Sequence, residues 1–137
     1  MAIVNSVRQI LAGLGTASVR GSTVTTTTIT ANALTAALSN LAPAMNCGMW
    51  RLKVSGVDAG HAIANYSVTA TDGTTTIYLV PIQTITGGVN GQGMDVADEW
   101  QSDLNLKTFT AVVTGASGIT AATVDFEVWG QANAGGA

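Results

Sequence analysis

Hydrophobic and polar residues alternate with a period of two along most of the chain beyond residue 47. Trp50, Leu52 and Val54 take turns with Met49, Arg51 and Lys53, as a strand with one buried and one wet face requires. Ala62, Ala64, Tyr66, Val68 and Ala70 alternate with Ile63, Asn65, Ser67 and Thr69. Thr71-Asp72-Gly73-Thr74 comes next, and Asp-Gly suits a tight hairpin because both residues tolerate positive φ. The return strand over 75–83 sets Ile77, Leu79 and Pro81 against Tyr78, Val80 and Ile82. Pro81 has no N–H to give a ladder, which places that end at an edge or a bulge. A second hairpin is expected where 104–114 and 119–129 flank Gly115-Ala116-Ser117-Gly118. In its last strand Val124, Phe126 and Val128 alternate with Thr123, Asp125, Glu127 and Trp129.

The first 46 residues read differently. Val7, Ile10, Leu11 and Leu14 are spaced as one stripe of a short amphipathic helix, which is stable only when that stripe packs on something. It packs either on its own domain or, as an arm, on a neighbouring subunit. Ser22–Thr30 is β-branched almost throughout and includes Val24 and Ile29, so it favours a strand at an edge or interface. Over 31–41 the period turns helical, with Leu34, Ala37, Leu38 and Leu41 on one stripe, Thr30 as its cap and Pro43 after its end. Between the hairpins, 85–103 carries four glycines and four acids; a connection of that length in a compact domain usually serves a function or is disordered. The expectation is a mainly β chain, a β-sandwich or jelly-roll-like domain over 22–130. A short N-terminal helix or arm over 1–21, one further short helix and a loose Gly/Ala-rich tail over 131–137 complete it.

Composition narrows the function. One domain is expected at 137 residues, and 47% hydrophobic content supplies a core. Only 9% of residues are charged, against roughly 25% in ordinary soluble domains. Low charge is what contact surfaces show, so homodimers or homotrimers are expected. A net charge of −3 and five scattered cations argue against nucleic acid. No apolar run is long enough to span a bilayer as a helix, and polar residues interrupt 1–9 where a signal peptide needs an apolar core.

Candidate chemistry is sparse. Catalysis by a nucleophile needs a base, and His61, three residues after Asp58, is the one histidine. Cys47 reads as a small buried hydrophobe. Gly91-Gln92-Gly93 lacks the rest of a phosphate-binding fingerprint. No cofactor is expected, and the protein reads as a non-enzyme. Asp95, Asp98, Glu99 and Asp103 hold half of the acids; they form either a solvated loop or a weak cation site between subunits. Trp100 and Trp129 are expected at an interface or rim, with a sugar-stacking platform as the alternative.

The Thr-rich segment at 22–30, the small Ala/Gly/Thr-dominated β domain, the apolar N-terminal segment and the single cysteine resemble tailed-bacteriophage virion proteins, most nearly capsid decoration (cement) proteins. That resemblance implies a protein made in the host cytoplasm and seated on the outer capsid surface. It would bridge subunits of the major capsid protein, with Trp129 and the Thr-rich segment at 22–30 as the expected contacts, and Val7, Ile10, Leu11, Leu14, Val24, Ile29, Trp100 and Trp129 are the residues expected at interfaces. A tail or fibre component, or a carbohydrate-binding adhesive module, is the alternative.

Overall fold

The computed structural model describes residues 19–20, 24–28, 33–42, 44–115, 119 and 121–131, and these form strands and connections with no helix among them. In chain order the strands are β1 (Val19–Arg20), β2 (Val24–Thr28), β3 (Ala33–Leu38), β4 (Met45–Ser55), β5 (Ile63–Thr71), β6 (Thr76–Thr84), β7 (Met94–Leu106), β8 (Thr108–Gly115) and β9 (Ala121–Gln131). Two antiparallel sheets result. The first runs β1-β9-β4-β7, with β2 also paired to β9, and the second runs β3-β8-β5-β6. From β2 onward this order, 2-9-4-7 over 3-8-5-6, is that of a double-sheet jelly roll. The expected sandwich is present.

The core lies between the sheets. Trp50, Leu52 and Val54 of β4 and Val124, Phe126 and Val128 of β9 meet Leu34, Ala36 and Leu38 of β3, Val68 and Ala70 of β5, and Phe109, Ala111 and Val113 of β8. Cys47 is buried, as the sequence implies, and burial pushes its thiol up from the ordinary value.

Three expectations are corrected. The segment expected to be helical over 31–41 contains strand β3, in which Leu34, Ala36 and Leu38 are buried and Ala33, Thr35 and Ala37 exposed. Its apolar residues satisfy both periods over so short a run, and pairing with β8 decides for two. The second hairpin does not form: β8 pairs with β3 and β5, β9 with β4 and with β1 and β2, so the chain after Gly115 crosses from one sheet to the other. The long connection shortens to 85–93, because the acidic stretch is strand β7. Of the N-terminal helix or arm expected over 1–21, Val19–Arg20 form strand β1, and of the tail expected over 131–137, Gln131 ends β9; residues 1–18, 21 and 132–137 lie outside the described residues.

Two residues fix one end of the second sheet. Asp72 shapes the β5–β6 turn: its Oδ1 accepts from Thr74 N at 2.8 Å and Thr75 N at 2.7 Å, and Gly73 takes φ 103°. Lys107 makes the corner between β7 and β8, donating its N–H to Thr71 O at 2.9 Å and accepting from Leu41 N at 2.7 Å.

Candidate functional site

The two outer faces differ in charge. Every charged residue on a described strand belongs to the first sheet: Arg20, Arg51, Lys53, Asp95, Asp98, Glu99, Asp103, Asp125 and Glu127. The second sheet, ALTAAL, IANYSVTAT, TIYLVPIQT and TFTAVVTG, contains none. The alternation leaves Thr, Ser and Asn side chains, with Ala33, Ala37 and Val112 among them, on its outer face.

Register arranges them in rows. Ala37, Thr110, Thr69 and Tyr78 stand in line across four strands, a span of about 14 Å at ~4.8 Å per strand. Ala33, Thr114, Asn65 and Thr84 form a second row, Thr35, Val112 and Ser67 a third, and Thr108, Thr71 and Thr76 a fourth. Tyr78 is 59% exposed and Ile82 62%, and both stand on the edge strand β6. The second sheet thus has an uncharged floor of threonines interspersed with Ala33, Ala37, Val112 and Asn65, and an apolar rim.

β6 itself is guarded against pairing. Its ladder to β5 is irregular between Val68 and Thr69 and again between Tyr66 and Val68, where Pro81 lies. Bulges and proline are how free edges avoid adding strands, and the expectation for Pro81 holds.

The first sheet's outer face holds the ionic contacts. Arg51 donates Nε to Asp95 Oδ1 at 2.9 Å and Nη2 to Asp95 Oδ2 at 2.7 Å. That bidentate contact holds the Asp95 carboxyl below the usual range and raises the Arg51 guanidinium. Lys53 stands between Asp95 and Asp125, and Arg51 faces Glu127, so the cations are matched by acids.

Within one chain the four acids do not converge on a cation. In a strand, neighbouring side chains point to opposite faces. Asp95 and Glu99 therefore project outward about 13 Å apart along β7, with Asp103 as far again. Asp98 takes the inward-facing parity, opposite Trp50 at the sheet's edge. Among the described residues no three His, Cys, Asp or Glu side chains converge. Asp98 nonetheless stays exposed, its Oδ1 accepting from Glu99 N at 2.8 Å.

The tryptophans also part company with the expectation. Trp100 is 4% exposed and packs in the core, its ring 5.2 Å from that of Phe109. It presents no interface and no sugar platform, because strand parity turns it inward. Trp129 is half-buried on the outer face of the first sheet, opposite Met49. Val7, Ile10, Leu11, Leu14 and Ile29 lie outside the described residues, and Val24 belongs to β2, the strand paired to β9. His61 Nδ1 contacts Asp58 Oδ2 in the β4–β5 connection.

Sequence reasoning singled out neither Tyr78 nor the neutral face. The missing charges of 63–71, 76–84 and 108–115 are visible in the sequence; that these segments share a sheet is not.

No protein-family model and no curated protein matches the chain. Solved structures that match the chain include the following two. A family 29 carbohydrate-binding module, a mutant of CBM29-2 made to probe ligand recognition, has a TM-score of 0.44 at 7% identity over 71% of this chain and 61% of that one. The CBM22-1–GH10 modules of Clostridium thermocellum endo-1,4-beta-D-xylanase 10B, complexed with xylohexaose, also have a TM-score of 0.44, at 10% identity over 84% of this chain and 26% of that one. The chain thus spans less than two thirds of the length of either, and a likeness at this level bears on neither ligand nor partner.

Proposed function

We propose that this protein is a non-catalytic binding module that holds a neutral glycan on the outer face of its second sheet. The observation that carries the reading is the four-strand face without a charge, floored by Thr69, Thr110 and Asn65 and rimmed by Tyr78. Sugars offer hydroxyls and C–H faces, and hydroxyl and amide side chains both donate and accept. A phenol ring packs against C–H surface while its O–H stays wet. An uncharged floor spares the cost of desolvating ions, and β-branched threonines lose little rotamer freedom on contact.

Retention on neutral and acidic polysaccharides in affinity electrophoresis tests it. Wild type is slowed by at least one neutral polysaccharide, and Tyr78→Ala weakens retention roughly tenfold, the loss of about 1.4 kcal/mol of ring contact. Trp129→Ala, on the opposite sheet, leaves it unchanged. Failure to bind any neutral glycan, or indifference to Tyr78→Ala, overturns the reading.

A second reading is a virion structural role, as a decoration protein or a tail component that assembles with copies of itself. The observation favouring it is that the exposed large hydrophobics of the described residues, Tyr78, Ile82 and Val89, fall within twelve positions, on β6 and the connection after it. Jelly rolls build both capsid and lectin domains, so topology does not choose. Co-sedimentation with undecorated shells that is lost in Tyr78→Ala/Ile82→Ser, without glycan binding by wild type, selects this reading over the first.

A further inference from the structure

A cleft of about 250 Å³ opens where the 85–93 connection turns into β7. Ile63, Ile85 and Met94 line it together with Thr86, Gln92 and the backbone of Gly88. Ile63 belongs to the core, and Ile85 and Met94 pack against it. The cleft is therefore at the margin of the sandwich interior, apart from the outer threonine face.

The connection around it is held in place. Ile85 donates its N–H to Ala64 O at 2.8 Å, Gly91 to His61 O at 2.8 Å and Gln92 to Val89 O at 3.1 Å. The connection approaches β5 closely at Gly88, where a Cβ would stand 3.0 Å from Ile63 O. Gly87 and Gly91 take φ 72° and 77°, which other residues adopt only at a cost.

We infer that this cleft is a second binding site, for a small uncharged ring bearing a hydroxyl group. Its size admits a ring, since an apolar cavity of about 150 Å³ already takes up benzene, and the extra volume leaves space for a substituent. Its walls exclude ions: no charged side chain lines it, so an anion or cation would give up its hydration for nothing in return. Its lining is mixed, with Ile63, Ile85, Val89 and Met94 beside Thr86, Gln92 and the backbone of Gly87, Gly88 and Gly93, which suits a ligand that is part apolar and part hydrogen-bonding. Here the Gln92 amide and the Thr86 hydroxyl are the groups able to hydrogen-bond a ligand O–H, while Ile63, Ile85 and Met94 take the ring. The site stands independently of the glycan reading.

Cyclohexanol, phenol and benzoate, titrated into the full chain and followed by backbone amide shifts, test it. The two neutral probes give saturable shifts at Ile63 and across 85–94, and benzoate binds at least tenfold more weakly. Met94→Trp fills the cleft and abolishes the shifts. Should that variant fold poorly, Gln92→Leu serves instead, weakening phenol severalfold while its spectrum stays native. Tyr78→Ala leaves both probes unaffected, which separates this site from the glycan face. The inference is overturned if neither neutral probe saturates, if benzoate binds as well as phenol, or if the cleft variants bind as wild type does.

Discussion

Trp100 and Phe109 bridge the two sheets, their ring centroids 5.2 Å apart and tilted by 55°, Trp100 reaching in from β7 and Phe109 from β8. Trp100 also stands opposite Gly48, which is itself opposite Gly130. The indole therefore faces two strand positions that carry no side chain.

Trp100→Ala leaves a large cavity there and costs about 3–5 kcal/mol. Trp100→Phe costs far less, because it retains a ring and removes an indole N–H that is buried without a hydrogen-bond partner among the described residues. Urea unfolding of the two variants checks the contrast; equal losses would show that ring packing is not what Trp100 contributes.

Gly48 and Gly130 do not accept alanine. A Cβ on Gly48 runs into Trp129 O, and one on Gly130 into Cys47 O. Since the obstacle is backbone, Gly130→Ala is expected to cost about 1–3 kcal/mol, read as a lower urea midpoint at unchanged slope. Gly60→Ala, with open space around its Cβ apart from Asp58 Oδ2 at 4.0 Å, is the control and stays near wild type.

Asp72 links the first hairpin to pH. The N–H groups of Thr75 and Thr74 hold its carboxyl below the ordinary value. A depressed folded pKa stabilises the protein above the unfolded value of roughly 3.9, and that contribution is lost as pH falls through the lower folded value. Asp72→Ala therefore lowers the melting temperature at neutral pH and removes part of the decline below about pH 4. A variant whose acid profile parallels wild type would show that the turn's hydrogen bonds do not need the charge.

The acids of β7 are split between two faces, so chelation is expected to change nothing. Melting temperatures with and without EDTA coincide, and adding Ca²⁺ gives no saturable rise. A calcium-dependent increase that vanishes in Asp95→Asn/Glu99→Gln would restore a cation site on this strand.

The strands from β4 onward were legible in the sequence where one face is buried and the other wet: Trp50-Leu52-Val54 and Val124-Phe126-Val128 point inward as their alternation requires. The hairpin at Asp72-Gly73 and the edge position of Pro81 were equally local, although of the two turn residues Gly73 alone takes positive φ and Asp72 contributes through its carboxylate instead. Long-range pairing was not legible. Leu34, Ala37, Leu38 and Leu41 suit a helix until β8 supplies a ladder, and Gly115–Gly118 suits a hairpin although the strands it joins lie in different sheets. Acids adjacent in sequence look like a cluster until strand parity sends them to opposite faces. The neutral face is the plainest case: each of its four strands shows its lack of charge in the sequence, but only the order β3-β8-β5-β6 makes one surface of them. Alternation is a property of neighbours along the chain, whereas a surface depends on which distant segments share hydrogen bonds, and that choice rests on how the whole core packs.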